Sequence, residues 1–441
     1  MYPRFGQHPL VAQLAKLSLQ VSDLAPPKGA SSWPYPNHAA AEAALAHCRR
    51  TRPARETQLS AIGGLTCLIA DPASTPAAKA FWQHTGLGAS SRLAAIALGQ
   101  EQTADDSAAE NARLNVIGRL ARIYRCERDA ISLHPSGMSA LHRALQLISA
   151  IRPNRPVLQI GFPYVDVLKL PQVVFNGAEL LLDDGAASVG AALERLQPSA
   201  VVVELPSNPL LRCIDLPTIA RLAHQQGVPV IADDTIGSGV NIDGLPHADL
   251  VFSSLTKSFA GRGDVLAGSL VLSPHSPWRD QLAASARSLQ PLAELADVDL
   301  IPLDQGSEDV VERVHQLNRN TLFLAEQLRD HPAVEKVFHP GECENFKDLQ
   351  RPGAGHGCLL SFELKGGTPS AQKVYDALEV CKGPSLGTAF TLVCPYVLLA
   401  HYDELVWAKR CEVPSHLLRV SVGLEEQPDL WKRFLLALDS A

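Results

Sequence analysis

What this 441-residue chain lacks narrows its function before any motif is considered. It has no excess of basic residues: 39 Lys and Arg stand against 46 Asp and Glu, a formal charge of −7. That balance argues against nucleic acid and acidic membrane surfaces as partners. It has no paired-cysteine spacing. Its nine cysteines, an odd number, are scattered from Cys48 to Cys411 without a C-x-x-C, and they read as reduced thiols, neither a disulfide framework nor a metal site. It has no clean apolar core at the N-terminus, where Gln13 and Lys16 interrupt the hydrophobic residues. Neither a signal peptide nor a membrane span is expected, and cytoplasm is the default location. What remains is an ordinary globular composition, 46% hydrophobic and 19% charged. A chain of this length buries a large core and divides into about two or three domains.

The chemistry is concentrated in residues 228–272. A mostly β-branched apolar run, Val228-Pro229-Val230-Ile231-Ala232, stops at Asp233 and Asp234. A second run, Leu250-Val251-Phe252, stops at Ser253-Ser254-Leu255-Thr256-Lys257. Gly261, Gly263 and Gly268 then loosen the backbone ahead of Leu270-Val271-Leu272. Read as strands, the first two end in a carboxylate and an amine 257 − 233 = 24 residues apart. In open α/β sheets, ligands bind outside the carboxyl ends of strands. An amine, an acid and several hydroxyls there match the needs of pyridoxal 5'-phosphate. Lys257 would form the Schiff base, Asp233 would hold the pyridine nitrogen protonated, and Ser254 and Thr256 would donate to the phosphate. Plainer explanations stand beside these: a solvated surface lysine, and an Asp-Asp pair that caps a helix or makes a turn.

Around this stretch strands and helices alternate. Strands are expected over 157–160, 179–182 and 200–205, and helices over 186–196 and 216–226, which means a parallel, doubly wound sheet. Residues 133–151 read as a turn entering an amphipathic helix, with Leu141, Leu145 and Ile148 at helical spacing. The N-terminus of that helix is an anion site in which Gly137 permits close approach, and Ser136 is equally an N-cap. Helices over 281–289 and 310–330 lead to a second unit, opened by 331–337, whose first clear strand is expected at 357–364. Before residue 76, proline clusters such as Trp33-Pro34-Tyr35-Pro36 separate helical patches at 10–19 and 39–48. No catalytic constellation is visible there. A lid, an oligomer-contact arm and a structural extension are the readings open.

Three blocks in order, Ala232-Asp233-Asp234-Thr235-Ile236, Ser254-Leu255-Thr256-Lys257 and Gly261-Arg262-Gly263-Asp264-Val265-Leu266-Ala267-Gly268, complete the pattern. They resemble V-D-N-T-F, S-A-T-K and G-H-x-D-V-x-x-G of the Cys/Met-metabolism family of pyridoxal-phosphate enzymes, that of cystathionine γ-synthase and its lyase relatives. Ser136-Gly137-Met138-Ser139-Ala140, Glu204-Leu205-Pro206-Ser207-Asn208-Pro209 and Leu418-Arg419-Val420-Ser421-Val422-Gly423 resemble further family motifs. There are departures. Ser90-Ser91-Arg92 stands where the family has Tyr-x-Arg, Tyr164-Val165-Asp166-Val167 where it has Y-G-G-T, and Pro384 where many members have Glu. The wording of Phe81-Trp82-Gln83-His84-Thr85-Gly86 and Phe162-Pro163-Tyr164-Val165-Asp166 is similar to that of the divergent, fungal-type synthases.

The resemblance implies the aspartate-aminotransferase-like α/β fold, PLP-dependent transferase fold type I. A parallel-rich doubly wound sheet forms its large domain, and a smaller α/β C-terminal domain follows. The expected divisions are 1–75 (arm), 76–310 (cofactor domain) and 311–441 (small domain). It implies that Ser136, Gly137 and Met138 join Ser254 and Thr256 around the phosphate. Arg92 would be lent across a subunit interface, which makes the chain a homo-oligomer, a dimer or a tetramer. Tyr164 would stack on the ring and serve catalysis with Lys257, Asn208 would bond the phenolic oxygen, and Arg419 and Ser385 would hold the substrate's α-carboxylate. The expected reaction is γ-replacement on an O-acyl- or O-phosphohomoserine with cysteine, giving cystathionine in trans-sulfuration. A lyase acting on cystathionine, methionine or a related γ-substituted amino acid is the alternative, and a non-enzymatic homologue a further one. Ser254-Leu255-Thr256-Lys257 also fits the S-x-x-K of β-lactamases, but only Lys365-Gly366-Gly367-Thr368 approaches the later K-T-G that class needs.

Overall fold

The computed structural model describes residues 6–21, 26–51 and 56–440. Residues 1–5, part of the stretch read above for a signal peptide, lie outside the described residues. The two helical patches form as expected, over Pro9–Val21 and His38–Thr51. Between and after them the expectation needs correcting. Trp33-Pro34-Tyr35 is no mere separator but part of strand β1 (Ser31–Tyr35), which joins β2 (Gln58–Ile62) and β3 (Leu65–Ala70) in an antiparallel sheet of order β1-β3-β2. Proline has no N–H to give a ladder and is tolerated on an edge strand, which is where Pro34 sits. Its carbonyl accepts the Ala89 N–H at 3.0 Å. The β2–β3 link is a two-residue hairpin of Gly63 and Gly64, with φ of +55° and +82°, the left-handed values such tight turns require.

The central sheet has seven strands: β4 (Ile131–His134), β5 (Val157–Ile160), β6 (Ala178–Leu181), β7 (Val201–Glu204), β8 (Val230–Asp233), β9 (Leu250–Ser254) and β10 (Gly268–Leu272). Their order is β4-β10-β9-β8-β7-β5-β6. Neighbours from β6 through β9 are parallel, and β10 alone runs against both its neighbours. The short apolar runs form these strands because both faces are covered. On β7 and β8, Val201, Val203, Val230 and Ala232 enter one core, while Val202 and Ile231 enter a second with Leu141, Leu145 and Ile148 of the Gly137–Ile151 helix. Side chains alternate across a strand, so this division decides which face each residue at a strand end serves.

The third sheet contains β11 (Val334–Phe338), β12 (Leu359–Leu364), β13 (Cys381–Lys382), β14 (Leu392–Pro395) and β15 (Leu418–Ser421), in the order β11-β12-β15-β14-β13. It is antiparallel apart from the β13–β14 pair. The first strand of this unit is therefore 334–338, within the segment expected to open it and ahead of the 357–364 segment expected as its first clear strand. Helix Val310–Asp330 packs Leu324, Ala325 and Leu328 into its core with Leu360, Phe362 and Val420.

Candidate active site

The carboxyl ends of β7, β8 and β9 deliver Glu204, Asp233 and Ser254 to one side of the central sheet. A single cavity there is lined by Ser136, Gly137, Met138, Tyr164, Asn208, Asp233, Ser254, Thr256, Lys257, Ser385 and Arg419. Of the residues singled out from the sequence only Arg92 stands apart. Its guanidinium donates to the Asp264 carbonyl at 3.0 Å and to Oδ1 of the buried Asp299 at 3.2 Å.

The helix N-terminus is built as its sequence suggests. Ser136 Oγ accepts the Ser139 N–H at 3.1 Å, and Ser139 Oγ accepts the Ser136 N–H at 2.8 Å, a reciprocal cap. Ser136 is thus an N-cap and a cavity residue together. Gly137 is required by contact: a Cβ there would lie 2.8 Å from Ser254 Cβ. Thr235 Oγ1 accepts the Ser254 N–H at 2.9 Å, and Thr256 Oγ1 accepts the Ala267 N–H at 3.2 Å. These bonds tie the turn after β9 to the strands beside it.

Lys257 Nζ lies 3.4 Å from Ser385 Oγ, across the chain from a different sheet. The loop carrying Ser385 approaches closely because of Gly387 (φ +72°), where a Cβ would meet the Ser258 nitrogen at 2.2 Å. Arg419, on β15, is buried at 2% exposure. It donates to the Pro384 and Ser385 carbonyls at 2.5 and 3.1 Å and to Asn208 Oδ1 at 3.4 Å. The Tyr396 ring lies 5.0 Å from its guanidinium carbon, and Nε finds no partner among the described residues. A buried guanidinium with an unsatisfied donor is suited to an incoming carboxylate.

Alternation separates the two adjacent acids. Asp233 shares the Ile231 face and lines the cavity, and its Oδ1 accepts the Thr235 N–H at 2.9 Å. Burial pushes its carboxyl up to about 6 against that hydrogen bonding. Asp234 faces the other core, where its Oδ2 accepts the Tyr124 hydroxyl at 2.8 Å. Burial, opposed by Tyr124 and reinforced by the Asp233 charge, pushes Asp234 up to about 7.

Other cavity residues were quoted within motifs or passed over, and given no role of their own. Glu204 accepts the Tyr164 N–H and stands in register with Asp233 across β7 and β8. Its signal was a buried strand ending in an acid. Asp166, also in the lining, bonds His84 Nδ1 at 2.8 Å, joining helix Val165–Val174 to helix Thr75–Thr85. Nothing local marks that pair, since its members are far apart in the chain. Gly6, His8 and Val11 border the same cavity, so the N-terminal arm, in which no chemistry was visible, reaches the site.

Comparison with known proteins bears on the family and the fold. The profile of the family described as Cys/Met metabolism PLP-dependent enzyme matches residues 118–439. Cystathionine γ-synthase of Neurospora crassa is 38% identical over 336 residues, 72% of this chain and 53% of that protein. The chain thus spans about half the length of the curated synthases it matches. L-2-amino-4-chloropent-4-enoate dechlorinase/desaturase of Streptantibioticus cattleyicolor is 31% identical over 468 aligned residues, covering 100% of this chain and 91% of that one. Among solved structures, a cystathionine γ-lyase from Micromonospora echinospora superposes with a TM-score of 0.63 at 28% identity, over 73% of this chain and 85% of the other. The fold is that of the type I pyridoxal-phosphate enzymes.

Proposed function

From the premise that the chain belongs to the Cys/Met-metabolism family of pyridoxal-phosphate-dependent enzymes, we propose that it performs γ-replacement on an activated homoserine with cysteine as acceptor, giving cystathionine. The observation that carries this reading is the meeting of four residues from distant parts of the chain. Lys257 Nζ stands 3.4 Å from Ser385 Oγ, whose own carbonyl is held by Arg419 at 3.1 Å, with Asp233 in the same cavity.

The donor set fits pyridoxal phosphate. Lys257 offers the amine, Asp233 an acid for the pyridine nitrogen, and Tyr164 a ring face. Asn208 takes the phenolic oxygen. The helix N-terminus at Ser136, Gly137 and Met138, with Ser254 and Thr256, holds the phosphate. The close packing of Gly137 on Ser254 supports this, since it draws the helix N-terminus against the turn after β9. When bound, pyridoxal phosphate supplies the electron sink that makes the substrate's α and β protons removable.

The chain's own residues do the rest. Arg419 grips the α-carboxylate, with Ser385 beside it, and fixes the amino acid relative to Lys257. Lys257 takes protons from the α and β carbons, the γ-substituent leaves with its bonding pair, a thiol adds at the γ carbon in its place, and the protons return to the β and α carbons. The reading includes a homo-oligomer in which Arg92 serves the phosphate of a neighbouring copy, a cytoplasmic location, and division of the chain into arm, large domain and small domain near residues 75 and 310.

One observation favours a second reading. The relative matched end to end is named a dechlorinase/desaturase rather than a synthase. Loss of a γ-substituent without replacement uses the same residues. Product analysis separates the two. With O-acetyl- or O-phosphohomoserine plus cysteine, cystathionine is the expected product. Release of 2-oxobutyrate and ammonia alone, with consumption of supplied cystathionine, would replace the synthase by a lyase.

A further inference from the structure

Glu204 has no part in the reaction described so far, yet it stands where several of its residues meet. It ends β7 in register with Asp233 at the end of β8, so both side chains leave the sheet on the same face. Adjacent strands are about 4.8 Å apart, which brings the two carboxyls together. Glu204 is 6% exposed and lines the cavity. Its Oε1 accepts the Tyr164 N–H, and the Asn208 backbone N–H lies against the same carboxyl. Its Oε2 lines up with no partner among the described residues. The loops before helix Val165–Val174 and after β7 are thereby held by one side chain, and those loops carry Tyr164 and Asn208.

We propose that Glu204 is a positioning residue: a neutral carboxyl group that clamps the backbones of Tyr164 and Asn208 and leaves Asp233 as the anion of the pair. The inference rests on the function proposed above, in which Tyr164 and Asn208 face the cofactor ring. Its charge assignment follows from proximity, because two carboxyls this close and this far from water do not both ionise. Burial first, and the Asp233 charge second, hold the Glu204 proton on well above the ordinary carboxylate range, while Asp233 rises only to about 6. Lys257 and Arg419, the cations of the same cavity, are placed toward the substrate side with Ser385. The two N–H groups by themselves favour the charged form, but burial and the Asp233 charge outweigh them, and a neutral carboxyl still accepts through its carbonyl oxygen.

The neutral state has a direct mimic, since glutamine keeps the accepting oxygen and a donor without charge. In the purified holoenzyme, Glu204→Gln is expected to keep the wild-type visible absorption of the bound cofactor, its pH titration and nearly all of kcat. Glu204→Ala releases both backbone clamps, and Glu204→Asp, one methylene shorter, cannot reach them. Each is expected to shift the absorption band and lower kcat by as much as about a hundredfold, the cost of a misplaced reacting group. KM should change less than kcat, because the Pro384 and Ser385 carbonyls that hold Arg419 do not depend on Glu204. The inference is overturned if Glu204→Gln is as impaired as Glu204→Ala, which would make the charge essential, or if Glu204→Ala matches wild type. Should Glu204→Ala not fold, the comparison of Gln with Asp decides in the same way. A wild-type protein without the visible band would instead overturn the parent reading, and this inference with it.

Discussion

Asp233 and Asp234 are adjacent in the chain and opposite in surroundings. The period of a strand sends Asp233 into the cavity and Asp234 into the core against Tyr124. The second acid leaves a measurable trace on stability. Its folded-state value of about 7 lies above the unfolded 3.8, so between those values the native chain holds a proton that the unfolded chain has lost. Its contribution is complete below the lower value and is lost as pH rises through the upper. Asp234→Asn has no proton to lose and can still accept from Tyr124. The variant is expected to lose less melting temperature than wild type between about pH 5 and about pH 8, with cofactor absorbance unchanged. Parallel melting curves would disprove the assignment. At this scale the sequence was informative where a residue type is rare in its setting. Lys257 stood out as an amine ending an apolar run 24 residues after Asp233, and Arg419 as a charge within an apolar run, which is costly to bury unless paired. Glu204 and the His84–Asp166 pair did not, because their meaning lies in cross-strand register and tertiary contact.

The strands and helices expected in the α/β region lie nearly where they were read, because buried parallel strands leave continuous apolar runs and crossover helices are amphipathic. The crossover helix Val165–Val174 was not read. Helix Ala186–Leu196 and helix Val310–Asp330 lie where the pattern put them. The small sheet of β1, β2 and β3 was missed. Pro34 masked one strand, and the Gly63-Gly64 hairpin signal went unread beside stronger helical patches. Strand β11 was passed over because two of its five residues, Glu335 and Lys336, face solvent and interrupt the apolar pattern. One element carries a sharp test. The Gly137–Ile151 helix meets the end of β9 at a contact with no room for a methyl group, 2.8 Å from Ser254 Cβ. Gly137→Ala must push the helix N-terminus away from Ser254. Weaker retention of pyridoxal phosphate on dialysis is expected, by at least about tenfold in dissociation constant, with the far-ultraviolet circular dichroism preserved. Unchanged retention would show that this helix end does not hold the phosphate.

For the molecule as a whole, the question is whether one chain completes its own site. Arg92 is occupied by Asp264 and Asp299 of the same chain and lies outside the cavity. A subunit-complementation experiment tests its proposed service to a neighbour. Arg92→Ala and Lys257→Ala proteins are each expected to be nearly inactive. Mixed after reversible dissociation, they should regain activity, because some sites then combine an intact Lys257 with an intact Arg92 from the other chain. No recovery would place Arg92 in its own subunit's structure alone. Among the described residues no helix is long and apolar enough to cross a membrane.

The position of β10 has a further consequence, in the order of events during synthesis. β4, which leads into the Ser136–Met138 turn, touches the central sheet only through β10, and β10 is the last of the seven strands to leave the ribosome. Until it emerges, β5 to β9 can assemble from near neighbours, but β4 has no strand to pair with. The end of the cavity proposed for the phosphate is therefore closed by a long-range step, the kind that slows folding. A nascent chain stopped before Gly268 would carry Lys257 and Asp233 on a partly assembled sheet and still be unable to retain the cofactor. In this protein, cofactor capture reports that the sheet has closed.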